Sequence, residues 1–267
     1  MRLLPCVNVR SRLRDLRITL QHLAIIGIGL LTGATAQAQN VASYQFSANS
    51  GAFTPISGGT VLLTPGANWS NRRFTVNLPA PFWYAGNTYQ TLYVSSNGFI
   101  TLGSMMGTKE ITPLSSTATY AGAISPFGTT LTKASSSTSE IRWAMVGNEA
   151  VVQWKDVQRK VSGNAEKWSM QARLDLTSGV ISFVYSGVTN QSTSTSKQPQ
   201  VGLRGATNVF ATNVKNRRVS TGVETWAVTL PGNAKNATMR FTRASPTKAP
   251  LSGQTYVFTP GCVVPSA

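Results

Sequence analysis

Leu92-Tyr93-Val94-Ser95-Ser96-Asn97-Gly98-Phe99-Ile100-Thr101-Leu102 is the stretch on which the fold turns. Apolar residues alternate on both sides of Asn97-Gly98, and that dipeptide supplies the two positive φ angles of a type I′ turn. The stretch predicts a β-hairpin in which Leu92 and Val94 face Ile100 and Leu102 on a buried side. Two further hairpins follow the same logic. Ile141 to Val146 and Val151 to Val157 flank Gly147-Asn148, and Trp168 to Leu176 pairs with Val180 to Tyr185 across Thr177-Ser178-Gly179.

Outward from these hairpins, period-two alternation broken by Gly, Asn, Pro and Ser runs from residue 43 to 259. It predicts strands at Tyr44 to Ser47, Gly59 to Leu63, Phe74 to Leu78, Ala121 to Phe127, Gln200 to Arg204, Thr225 to Thr229, Thr238 to Thr242 and Thr255 to Thr259. About a dozen short strands without a helical stripe predict an all-β fold, a two-sheet antiparallel β-sandwich or jelly roll. The Ser/Thr-rich runs Ser115 to Thr119, Ala134 to Ser139 and Gln191 to Ser196 read as polar connections with no required chemistry.

Residues 1–38 have the three parts of a secretory signal: a basic start, an apolar run from Leu23 to Leu31, and the small-residue site Ala36-Gln37-Ala38. Cleavage is expected before Gln39, and the apolar run falls well short of the ~18 to 20 residues that a membrane span requires. The mature chain is therefore expected to be secreted or at the cell surface, with no membrane span. It divides into one domain, 39–260, and a segment, 261–267, read as a linker or the opening of a following fibronectin-type repeat. Cys262 alone survives cleavage, so no disulfide is expected within the mature chain.

Composition narrows the chemistry. The only histidine, His22, leaves with the signal, which removes the usual base of a Ser or Cys nucleophile. Asp156 and Asp175 stand apart, so no short-spaced cluster marks a metal site. No glycine-rich phosphate loop is present, and no cofactor or nucleotide is expected. Seven carboxylates remain (Glu110, Glu140, Glu149, Asp156, Glu166, Asp175, Glu224), and nothing in their spacing singles out a catalytic pair. Glu149, Glu166 and Asp175 read as ordinary surface charges. The signal takes five of the 24 basic residues and one of the eight acidic ones, leaving 19 against 7, or +12. Such a field favours a polyanion, although the charges lie singly or in pairs such as Arg217-Arg218. Trp69, Trp83 and Tyr84 are the candidates for stacking on sugar rings, with Trp83-Tyr84 placed just before an Ala85-Gly86-Asn87 turn. Trp143 and Trp154 read instead as a cross-strand pair.

Six segments in order resemble a β-rich module near the start of large secreted and surface proteins of Bacteroidetes-type bacteria. They are Tyr44 to Ser47 with Thr54 to Thr60, Leu92 to Gly103, Ile141 to Asp156, Gln200 to Ala206, Asn216 to Trp226, and Gly253 to Pro260. The resemblance implies export, commonly with type IX secretion, and a place ahead of fibronectin type III repeats and a C-terminal sorting domain. Tyr93 to Gly103 with Ile124-Ser125-Pro126-Phe127 also resembles the nidogen-type extracellular domain, an adhesion-associated β module. That family usually carries acidic residues after its Pro-aromatic pair, whereas Gly128-Thr129-Thr130 follow here, so no acid-dependent metal role is carried over. Neither resemblance supplies a catalytic residue. The expected function is a non-catalytic adhesion or recognition module for glycan or matrix polymer, with Trp69, Trp83, Tyr84, Arg217 and Arg218 as the candidate ligand-binding residues. The alternatives are a structural spacer of a multimodular surface protein and a secreted carbohydrate-active enzyme on a β-sandwich scaffold.

Overall fold

In a computed structural model, which describes residues 40–135 and 138–261, the regular secondary structure is almost entirely β-strand, joined by long loops. The signal reading, the cleavage site and Cys262 lie outside the described residues. The strands are β1 (Gln45–Ser50), β2 (Thr60–Leu63), β3 (Arg73–Tyr84), β4 (Asn87–Ser95), β5 (Phe99–Leu102), β6 (Gly122–Gly128), β7 (Leu131–Lys133) and β8 (Glu140–Val146). They continue as β9 (Glu149–Arg159), β10 (Trp168–Asp175), β11 (Ile181–Tyr185), β12 (Gln200–Arg204), β13 (Val214–Arg218), β14 (Leu230–Pro231) and β15 (Gln254–Thr259). A 3-10 turn (Val41–Ser43) precedes β1, and a short helix, α1 (Phe210–Asn213), precedes β13.

Two antiparallel sheets result, neither closed into a barrel, and they form a β-sandwich. The eight-stranded sheet runs β1-β15-β11-β10-β9-β8-β2, with β7 added on β9; the seven-stranded sheet runs β14-β13-β12-β6-β5-β4-β3. The predicted hairpins are β4–β5, β8–β9 and β10–β11. The deciding turn differs in type. Ser95 pairs with Phe99, so the loop is Ser96-Asn97-Gly98, and only Gly98 has positive φ (80°). This three-residue loop, with glycine in its last position, places Val94 opposite Ile100 and Leu92 opposite Leu102. All four side chains are fully buried. A two-residue turn would have set Val94 against Thr101. Both positive φ angles of a type I′ turn occur instead at Ala85 (49°) and Gly86 (84°), between β3 and β4.

Two predicted strands are not formed as such. Thr225 to Thr229 is a loop, and Thr238 to Thr242 makes only isolated bridges at Met239 and Thr242. Burial overrides alternation here: Trp226 is driven into the core from the loop, packing on Phe127 at 5.8 Å and Tyr185 at 5.3 Å, while its Nε1 donates to Arg240 O at 2.9 Å. Across the core the sheets are tied by Trp154 Nε1 donating to Ser95 O at 2.8 Å and Tyr185 OH donating to Pro126 O at 2.8 Å. Trp154 is fully buried opposite Ile141, whereas Trp143 sits half-buried opposite Val152, so the two tryptophans are diagonal neighbours in register rather than a directly opposed pair.

The outer face of the seven-stranded sheet is also covered. Phe99, Ala123 and Val214 pack with Met106, Leu114 and Tyr120 from the long connection after β5. The exposed edge strand β3 carries Pro79 and Pro81 at its register irregularity, which removes donors that another chain could pair with.

Candidate functional site

Each of the seven carboxylates has a structural partner. Glu140 pairs with Arg142 at 2.9 Å, Glu149 with Arg173 at 2.5 Å and Glu166 with Arg159 at 3.0 Å. Glu110 accepts from Thr112 and Ser116, Asp175 caps the turn at Thr177 and Ser178, Glu224 accepts from Ser220, and Asp156 accepts from Thr138. Among the described residues no three His, Cys, Asp or Glu side chains gather as a metal site.

Glu166 corrects the surface-charge reading. It and Arg159 are both 0% exposed. Arg159 Nε and Nη2 donate to the two carboxylate oxygens, and its Nη1 donates to Ser194 O and Ser196 O. The Gln191 to Ser196 connection is thus pinned by a buried ion pair. Burial pushes the Glu166 carboxyl upward, but the bonds and charge of Arg159 outweigh it and hold it below its usual range.

The predicted stacking aromatics do not form a platform. Trp69 is 3% exposed with its Nε1 bonded to Thr64 O at 3.0 Å, and Tyr84 is 0% exposed with its hydroxyl bonded to Arg204 O at 2.8 Å. Stacking on a sugar requires an accessible ring face, which neither has. Both are core residues. Trp83 is half-buried next to the turn, where a Cβ on Gly179 would lie 3.8 Å from its ring. These three belong to β3 and the loop before it, at the opposite end of the sheet order from Arg217 and Arg218 on β13.

Strand alternation sends Arg217 and Arg218 to opposite faces. Arg217 pairs with Val201 and is buried, 7% exposed, pointing inward to Phe46 of β1 in the other sheet. Its guanidinium sits 3.9 Å from the centre of the Phe46 ring. Nε donates to Thr229 Oγ1 at 2.8 Å and Nη2 to Thr229 O at 2.6 Å. Two residues back, Lys215 lies on the same face with Nζ donating to Ala42 O at 3.3 Å. Phe46, Phe210, Lys215, Asn216 and Arg217 line a groove of roughly 530 Å³.

This groove is electrostatically unbalanced. Among the described residues no carboxylate comes within ion-pair distance of Lys215 or Arg217. Burial pushes the Arg217 guanidinium down to about 10, and burial with the neighbouring Arg217 charge lowers Lys215. Both cations would gain from a desolvated anion between them.

Arg217 was legible as a candidate; Lys215, Phe46 and Phe210 were not. One available signal is acid depletion: from residue 176 to 261 the sequence has nine basic residues and one acidic residue, Glu224. Most of the positive surplus of the domain thus falls in the segment that builds the β12–β13–β14 end.

A family model described as NIDO related matches residues 43–260. The match takes in the Tyr93 to Gly103 and Ile124 to Phe127 segments and spans both sheets. No curated protein and no solved structure matches the chain.

Proposed function

The chain belongs to the NIDO-related family, and from that premise we propose that it is a non-catalytic extracellular recognition module that holds an acidic polysaccharide in the Phe46–Lys215–Arg217 groove. The observation that carries the reading is the pair of inward cations without a carboxylate partner among the described residues. Charge would draw the polymer in, and the exposed Phe210 ring would offer apolar contact to a sugar face. The engagement of all seven carboxylates in structural bonds supports a binding role over hydrolysis. Export by a cleaved signal and a place ahead of fibronectin-type repeats belong to the same proposal, supported by the resemblance of the sequence segments.

The test is binding of the secreted protein to immobilised heparin and alginate, with neutral dextran as the control. Affinity for the acidic polymers should fall steeply with salt. Lys215→Gln should weaken it about tenfold, the equivalent of one charge-assisted hydrogen bond. Salt-independent binding to dextran, no binding to either acidic polymer, or an unchanged affinity in Lys215→Gln would overturn the proposal.

A further inference from the structure

Ten arginines lie among the described residues, and eight of them are buried or half-buried. Six of the eight direct guanidinium N–H groups at protein oxygens. Arg73 reaches Met106 O, Arg142 reaches Glu140, Arg159 reaches Glu166, Arg173 reaches Glu149, Arg204 reaches Ala118 O and Arg217 reaches Thr229. Arg218 and Arg240 are the exceptions. Neither guanidinium makes a hydrogen bond or ion pair to a described residue, and the Nε of each is buried without an acceptor.

The same two side chains line one depression. Val219 and Met239 form a parallel bridge and turn their side chains into the core, 3% and 0% exposed. Arg240 N donates to Val219 O at 2.9 Å. Their neighbours Arg218 and Arg240 are thereby sent outward together, to the face of β13 opposite the Phe46 groove. With Gln198, Ser220 and Asn233 they line a hollow of roughly 330 Å³. Glu224 accepts from Ser220 Oγ at 2.7 Å; the Ser220 bond holds it below its usual range, with smaller contributions from the charges of Arg218 and Lys248. Glu224 does not reach ion-pair distance of either arginine.

Two half-buried guanidiniums line one hollow, and each is partly withdrawn from water without an ion-pair partner among the described residues. An arginine cannot relieve this by releasing its proton at neutral pH. A compact oxyanion seated between the two forks would offset both costs, accepting from the terminal N–H groups of each arginine, with Ser220, Asn233 and Gln198 as neutral partners. We infer that the Arg218–Arg240 hollow is an anion subsite for a single sulfate ester or carboxylate carried by an acidic sugar. It lies across β13 from the groove and does not depend on the groove reading.

The experiment uses inorganic sulfate and glucuronate as probes on the full chain, followed through the arginine Nε–Hε signals by NMR, with chloride at matched ionic strength as the control. Sulfate or glucuronate should shift the Arg218 and Arg240 signals saturably, and the tighter of the two identifies the pendant group. The Arg217 signal reports on the groove separately. Arg218→Gln and Arg240→Gln should each weaken the probe about tenfold or more, the loss of a charge-assisted contact. Lys109→Gln, on an exposed loop, should leave it unchanged. Unmoved Arg218 and Arg240 signals in the wild-type protein, or equal shifts with chloride, would overturn the subsite even if the variants fail to fold. Saturable binding here without acidic-polymer binding in the groove would retain this site and remove the other.

Discussion

Replacing Glu166 by Gln keeps the shape of the side chain and removes its charge, which leaves Arg159 fully buried without a counterion. Removing one partner of a buried ion pair costs about 3 to 5 kcal/mol, whereas an exposed pair is worth about 0 to 1 kcal/mol. The structure puts this pair in the first class, since both side chains are 0% exposed and Arg159 also holds Ser194 O and Ser196 O. For a domain of this size the loss corresponds to a fall in Tm of roughly 6 to 20 °C. Urea unfolding followed by tryptophan fluorescence should show a lower midpoint at unchanged slope. Glu140→Gln is the internal comparison, because its pair with Arg142 is 16% and 19% exposed and should cost under about 1 kcal/mol. The pH dependence has a defined sign. Glu166 is lowered from its usual 4.5 by Arg159, so its contribution is present above that value and is lost as pH falls through the lower folded value. The gap between wild type and Glu166→Gln should therefore be largest at neutral pH and close under strong acid. If Glu166→Gln costs no more than Glu140→Gln, the buried pair does not hold the Gln191 to Ser196 connection in place.

Three further outcomes follow from the packing. Gly98→Ala places a Cβ 2.5 Å from Phe127 O at a φ of 80°, and should cost about 2 kcal/mol or more in the same urea assay. Gly147→Ala, also at positive φ but with open space around it, should cost only about 1 kcal/mol. Trp154→Phe removes the Nε1 bond to Ser95 O between the sheets and leaves unfilled volume, which should cost about 2 kcal/mol. Binding of heparin should be flat through neutral pH and decline in the alkaline range as Lys215 loses its proton, below its usual 10.5, while Arg217 keeps its charge. Loss of that proton removes attraction for an anion. In the absence of polymer the same loss relieves the folded state, so stability should not fall in step with affinity.

The candidate site was only partly legible because it is assembled across the two sheets. Arg217 stood out as half of a basic pair, but Phe46 beneath it comes from β1, in the other sheet. Nothing local to either residue announces the other. The turn after Tyr84 suggests an exposed ring there, and Trp69 is a stacking candidate by residue type, whereas the polar atoms of both find carbonyl partners inside the core. Nothing in the sequence around Arg240 marks it, since its placement depends on a single parallel bridge between Val219 and Met239.

The amino-acid order alone determined the hairpins β4–β5, β8–β9 and β10–β11, the all-β class and the place of β12, because alternation and turn residues act between near neighbours in the chain. The tertiary structure alone decided the three-residue loop at Gly98, the burial of Glu166 against Arg159, the descent of Trp226 into the core, and the two cation-lined depressions on either face of β13. Those features depend on which distant segments share a low-dielectric space, and burial and charge compensation are properties of that shared space rather than of any one stretch of chain.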